Sequence, residues 1–200
     1  MRNQYTEKDH SPLKKLSLEI DTLWGSTRSC SPPYANIILE WQNQGLFLRW
    51  NAQFHQNPPP PFSPVDDCWG LWNYEVVELF IVGRDEHYLE LEWGPYGHHL
   101  TLKLKGVRTI YSKEKPSFLP EIIQSSPTQW TGSYCIPYDF LPPPQSGSFS
   151  SVFSYQVNAF AIWGEEVDRT YAVAFSLEGS QPDFHQIHQF PSFNFLKTKL

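Results

Sequence analysis

Hydrophobic positions along the chain come in short runs that alternate with polar ones, and clusters of Pro, Gly, Asn and Ser separate the runs. In Leu46 to Phe54, the residues Leu46, Leu48, Trp50, Ala52 and Phe54 share one face, and Phe47, Arg49, Asn51 and Gln53 share the other. That period of two is the signature of a half-buried strand. Asn36 to Trp41 precedes it across Gln42-Asn43-Gln44-Gly45, so the pair predicts a hairpin with Gly in the turn. Leu16 to Leu23 alternates in the same way and predicts one more strand. Further strands are expected at Tyr74 to Val82, Tyr88 to Trp93, His98 to Leu104, Val107 to Ser112, Trp130 to Ile136, Gln156 to Trp163, Tyr171 to Phe175 and around Phe193. Pro137 to Leu141 reads as a single helical turn. About ten strands with almost no helical periodicity predict an all-β, mostly antiparallel sandwich or barrel.

The pattern also divides the chain. Residues 1 to 14 are polar and aperiodic and read as a flexible tail, which leaves 15–200 as a single β-sandwich domain. No internal repeat interrupts it. Two Pro-rich loops do: Gln56 to Gly70, with Pro58 to Pro61 and Pro64, and a second that starts at Pro142 to Pro144. Consecutive prolines cannot join a hydrogen-bonded ladder, so these segments read as stiff surface loops, or as a docking motif for a proline-reading partner.

Composition sharpens this picture. Aromatic residues make up 16% of the chain while charged residues make up only 18%, a balance that favours strands over helical bundles. At 40% hydrophobic the chain can bury a sizeable core. A formal net charge of −6 argues against a nucleic-acid partner, which calls for a basic face. No run reaches the roughly 18 apolar residues of a membrane span. The N-terminus lacks the apolar stretch of a signal peptide. Three cysteines, an odd number without metal-like spacing, argue against a disulfide framework and for a reducing, cytoplasmic setting.

The densest chemistry lies in Trp72, Glu75, Glu78, Glu90, Glu92 and Trp93. Alternation puts Glu78 on one face with Tyr74, Val76 and Phe80, and puts Glu90 and Glu92 on one face with Tyr88. If these strands pair, Glu78 approaches Glu90 or Glu92. Adjacent carboxylates repel, so one of them rises in pKa. Such a group can hydrogen-bond sugar hydroxyls, bind a cation, or act as acid and base on a glycosidic bond. The plainer alternative is a solvated acidic face. Trp72 ends a long loop and opens a strand, a place where an indole can stack on a sugar ring. His98 and His99 are neighbours on a strand and face opposite sides, so they do not readily share one ion. His185 and His188 sit among Pro and Phe, where His185 reads as a hydrogen-bonded residue that pins the C-terminal segment. Asp66 and Asp67 offer oxygens for a structural calcium site, but a solvated turn is the preferred reading, because a loop calcium site usually needs several closely spaced oxygens. No nucleophile-elbow, phosphate-loop or zinc-helix motif is present.

The strings LWNYEVVELFIV, YLELEWGPYGHHLTLKLKG, VNAFAI and QPDFHQIHQFPSFNF, in this order and spacing, resemble an uncharacterised family known by a human open reading frame on chromosome 4. More distantly they resemble family 9 carbohydrate-binding modules and DOMON-like domains. That resemblance implies a jelly-roll β-sandwich that holds a terminal sugar between two Trp side chains, with structural calcium. By position it implies Trp72 as one aromatic wall, Trp163 as the other, and Glu78, Asn158 and His98 or His99 as polar grips; strand parity adds Glu90 and Glu92 as neighbours. Asn158 and Trp163 have opposite parity on one strand. DOMON haem ligation uses Met and His, and Met1 is the single Met of the chain, so haem is not expected.

Together these readings point to a domain that binds a small saccharide or polyol without catalysis. The alternatives are a carboxylate- or metal-dependent sandwich enzyme acting on glycans and a protein-interaction module that uses the Pro-rich loops.

Overall fold

The computed structural model describes residues 13–64, 68–112, 114–115, 119–145 and 152–196. Among these lie thirteen strands: β1 (Lys15–Ile20), β2 (Thr22–Leu23), β3 (Ala35–Gln42), β4 (Gly45–Gln53), β5 (Val76–Val82), β6 (His87–Trp93) and β7 (His99–Lys105). They continue with β8 (Ile110–Ser112), β9 (Glu121–Ser126), β10 (Gln129–Pro137), β11 (Val152–Trp163), β12 (Thr170–Val173) and β13 (Ser192–Leu196). The helical content of the described residues is five three-residue 3-10 turns, one of them at Tyr138–Phe140, where a single turn is expected.

The strands form two antiparallel sheets. The first runs β1-β3-β4-β10-β9, and the second runs β2-β12-β11-β5-β6-β7-β8 with β13 also on β11. They pack face to face as a β-sandwich. Leu16, Leu18 and Ile20 of β1 and Leu46, Leu48, Trp50 and Ala52 of β4 meet Val77, Leu79 and Ile81 of β5 and Leu89, Leu91 and Trp93 of β6 in one core. The alternation of β4 is borne out, with Arg49 and Asn51 exposed on the opposite face.

Gly132 shows how closely this core is filled. It lies opposite Trp50 in the β4–β10 register. A Cβ there would come within 2.0 Å of the Trp50 ring. Glycine therefore lets the indole lie across β10, where it stacks on Trp93 at 4.2 Å. Such aromatic pairs add to the burial energy of the rings.

Four elements differ from the sequence expectation. Val107 to Ser112 opens with a turn closed by Thr109 N–H donating to Gly106 O, so strand β8 begins at Ile110. Leu16 to Leu23 is two strands: β1 lies in the first sheet and β2 pairs with β12 in the second. The chain switches sheets at Asp21, as sandwich corners do. Strand β9 was not foreseen, because it is an edge strand with a mostly exposed, weakly alternating pattern. Strand β11 begins at Val152 rather than Gln156, because Val152 to Gln156 pair with β13. Of the predicted tail, Leu13 is tied: its N–H donates to Asn194 O at 2.8 Å and its carbonyl accepts from Leu196 N at 2.9 Å. Residues 1–12 lie outside the described residues.

The outer face of the second sheet carries a second apolar layer. Val76, Phe80, Val82, Tyr88, Leu100, Leu104, Phe160 and Ile162 pack there against Cys68, Leu71, Phe184, Ile187 and Phe190. Two non-strand segments thus cover this face, the end of the Pro-rich loop and residues 176–191. Phe184 stacks on Phe160 at 4.0 Å, and Phe190 meets Phe80 edge-on.

Candidate functional site

The register of the second sheet builds the site. Glu78 on β5 lies opposite Glu92 on β6 and Phe160 on β11. Glu90 lies opposite Phe80 on β5 and Leu102 on β7. All three carboxyls therefore share the outer face with Phe and Leu. The expectation that they adjoin is met. The alternative of a solvated acidic face is not, since Glu78 is 2%, Glu90 4% and Glu92 0% exposed.

Three carboxyl groups on one covered apolar face cannot all ionise. Burial, followed by the Glu90 charge, raises Glu78 well above the ordinary carboxylate range, against the pull of Arg169. Burial, then Glu78 and Glu90, does the same to Glu92. Burial pushes Glu90 up to about 7, with Arg108 opposing the shift. Glu78 Oε1 is sealed and meets no hydrogen-bonding partner among the described residues, whereas Glu90 and Glu92 share a hydrogen bond that keeps the proton on Glu92.

Glu78 and Glu90 line a cavity of about 470 Å³. Its walls include Leu102, Ile162, Tyr171, Arg108, Arg169 and His185, and Trp69 and Trp72 also line it. Trp69 and Trp72 meet edge to face at 4.9 Å. Trp69 is 58% exposed and Trp72 half-buried. Gly70, in the left-handed region at φ +87°, turns the chain into the 3-10 turn Leu71–Asn73 that carries Trp72 toward β5. Glycine takes this conformation without a Cβ penalty.

A hydrogen-bond chain holds the far wall. The backbone N–H of Arg108 donates to the Tyr88 hydroxyl at 3.0 Å, and that hydroxyl lies 2.8 Å from His185 Nδ1. Nε2 faces Glu90 Oε2 at 3.8 Å. Burial, then Arg108, lowers His185 to about 4, so the ring is neutral at pH 7 and this contact is no ion pair. His185 pins the C-terminal segment, as its sequence context suggests, and the Arg108–Asp183 pair at 2.7 Å adds a second clasp. His188 is exposed and does not join His185.

Several predicted grips lie elsewhere. Trp163 faces the inner side of the sheet, where it stacks on His55 at 4.4 Å and meets Tyr34 at a tilt at 4.6 Å. The parity of β11 puts it there, away from Trp72, whose aromatic neighbour is Trp69, in edge-to-face contact with it. Asn158 shares the outer face but is fully buried. Its Nδ2 donates to Phe175 O, and its Oδ1 accepts from Phe175 N and Ala159 N, which uses its polar atoms to hold the chain after β12. His99 opposes Trp93 and has the inward parity of β7, away from Glu78. His98 is buried, with Nε2 2.7 Å from Phe62 O. Glu92 lies beneath the covering loop, outside the cavity lining. Glu75 points inward and accepts from His55 N and Asn57 N, fixing the start of the Pro-rich loop. The calcium candidates Asp66 and Asp67 lie outside the described residues. Among those that are described, no three His, Cys, Asp or Glu side chains are grouped to hold a metal ion. Sequence reasoning missed Trp69, Arg108, Arg169 and Tyr171. The Trp69-x-x-Trp72 spacing was the one local signal for any of them.

The fold has solved counterparts. A candidate carbohydrate-binding protein from Bacteroides uniformis superposes with a TM-score of 0.64 at 13% identity, over 92% of this chain and 86% of that one. A family 9 carbohydrate-binding module from Caldicellulosiruptor kristjanssonii, solved with cellotriose, gives 0.54 at 8% identity over 94% and 82%. At such identities the likeness establishes a shared β-sandwich fold. No family model matches the chain. Whole-sequence relatives are closer. The human UPF0462 protein C4orf33 is 34% identical over 167 residues, 80% of this chain and 78% of the human one. Its homologue from Rattus norvegicus is 32% identical over 188 residues, 90% of this chain and 88% of the rat one. With that identity over most of both chains, and with the quoted strings falling on β5 to β7, β11 and the C-terminal cover, this chain belongs to the UPF0462 family.

Proposed function

We propose that this chain is a non-catalytic binding domain for the end of a small saccharide or polyol, seated in the outer-face cavity. The observation that carries the reading is an aromatic pair, Trp69 and Trp72, lining the same cavity as two buried carboxyls, Glu78 and Glu90. Indole faces match the C–H face of a sugar ring, and carboxyl oxygens match its hydroxyls. The volume suits a small ligand. The likeness to a module solved with cellotriose supports the reading at the level of fold. Calcium at Asp66 and Asp67 is kept as a separate proposal, tested by a calcium-dependent rise in melting temperature. A cytoplasmic setting is supported by Cys30, Cys68 and Cys135, none of which forms a disulfide.

The test is a calorimetric or NMR titration with glucose, cellobiose and cellotriose. Trp72→Ala is expected to lower affinity about thirtyfold, the loss of a hot-spot aromatic worth on the order of 2 kcal/mol. A half-buried indole at an opening is dispensable to folding, so the circular dichroism spectrum stays unchanged. Hydrolysis of cellotriose that Glu78→Gln abolishes without loss of affinity would replace this reading with the glycosidase one.

A further inference from the structure

We propose that the cavity selects an acidic saccharide, one that carries a carboxylate or a phosphate ester, and that Arg169 reads the anionic group. The inference rests on the saccharide reading above and names its ligand class. Nε and Nη2 of Arg169 are sealed from solvent and meet no acceptor among the described residues. These two atoms form the side-on edge of the guanidinium, the edge that grips a carboxylate or phosphate with two parallel hydrogen bonds. Leaving such donors unsatisfied is costly, more so on a charged group. Arg169 lines the cavity directly after the 3-10 turn Glu166–Asp168 and stays half-buried as a whole. In this proposal the long Arg169 side chain turns that edge toward the opening as the ligand enters.

Among the described residues no carboxylate pairs with this edge. Glu78 lines the same cavity with Oε1 unpartnered, yet no ion pair closes between Glu78 and Arg169 among the described residues. Glu78 shares its face with Glu90 and Glu92, and that crowding disfavours its charge. A protonated Glu78 keeps one carbonyl acceptor but offers no negative charge, so it is a poor counter-charge for the guanidinium. The charges of the lining agree. At pH 6 the floor carboxyls and His185 are mainly neutral. Arg108 is paired with Asp183 at 2.7 Å. Arg169 is the cation left over, and a monoanion balances it.

The experiment titrates the full chain at pH 6 and matched ionic strength with D-glucose, D-glucuronate, D-glucose 6-phosphate and cellotriose. At least one anionic sugar is expected to bind about tenfold or more tightly than glucose, the scale of a charge-assisted bidentate contact. Glucuronate against glucose 6-phosphate decides between carboxylate and phosphate. Arg169→Gln is expected to collapse the ratio, and Arg169→Lys to collapse most of it, because lysine keeps the charge and loses the fork. Glucose binding as tightly as both anions overturns the inference while the saccharide reading stands. Binding of none of the four overturns both. An anion preference that survives Arg169→Gln in a folded variant also overturns it. Should that variant fail to fold, the wild-type ratio still decides.

Discussion

Single residues of one chemical type play different parts in this protein. Glu75 and Glu78 are both buried, yet Glu75 accepts two backbone N–H bonds, and Glu78 has an oxygen with no partner among the described residues. Glu90 gives a pH prediction. Its carboxyl sits at about 7 in the fold against an ordinary 4.5, so the folded state holds the proton more tightly than the unfolded chain. Its contribution to stability is then fully present below about 4.5 and is lost as pH rises through about 7. His185 acts with the opposite sign: lowered to about 4, it favours the fold above its ordinary 6.5 and loses that effect as pH falls. Comparison with Glu90→Gln separates the two. Between pH 5 and 7 the stability of the wild type is expected to fall relative to that variant by up to about 1.4 kcal/mol per pH unit. Urea unfolding at each pH measures the difference, and parallel curves would sink the assignment. Asn158 gives a second prediction. It is fully buried, with three hydrogen bonds to backbone. Asn158→Ala is expected to cost on the order of 2–4 kcal/mol, by stranding those groups and leaving a cavity. An unchanged denaturation midpoint would contradict the pinning role. Alternation places Asn158 on the outer face, but the sequence carries no sign that the chain after β12 returns to occupy its amide.

At the level of elements, period-two patterns located the strands that have one face in the core, and failed where the pattern was weak or where two sheets claim one run. Strand β4 reads cleanly because Leu46 to Ala52 bury every second residue. Strands β5 and β6 are buried on both faces, so their alternation separates carboxyls from aliphatics rather than inside from outside. The edge strand β9 has little to bury. The β4–β10 pairing supplies a test of packing. Gly132→Ala would drive a Cβ to 2.0 Å from the Trp50 ring, and that ring is held by Trp93 and Trp130. The expected loss is about 1–3 kcal/mol or more, the scale of overpacking in a filled core. Thermal unfolding and the near-ultraviolet tryptophan signal report it, and an unshifted melt would show that Trp50 moves freely.

For the whole molecule, the segment 176–191 turns an apolar sheet face into a second core and closes one side of the cavity. Phe184, Ile187 and Phe190 lie on Phe80 and Phe160, and Trp24 Nε1 donates to Gly179 O. Ending the chain at Phe175 removes this cover together with β13. The product is expected to bind a hydrophobic dye and to lose its cooperative unfolding transition, because a large apolar patch becomes exposed. A cooperative melt without dye binding would mean that the segment is peripheral. By contrast, Asp183→Ala breaks a pair between partly exposed groups and is expected to cost less than about 1 kcal/mol. The sequence by itself determined the all-β class, most strand positions, the face shared by Glu78, Glu90 and Glu92, and the exposure of the Trp72 turn. These follow from local chemistry: side-chain parity along a strand and the geometry of Gly and Pro. Tertiary structure alone decided that this acidic face is covered, that Trp163 lies against His55 and Tyr34 rather than beside Trp72, and that Arg108 and Arg169 line the same cavity as Glu78 and Glu90. Those contacts join residues far apart in the chain, and their partners are set by sheet order and by where the C-terminal segment lies, which no local period encodes.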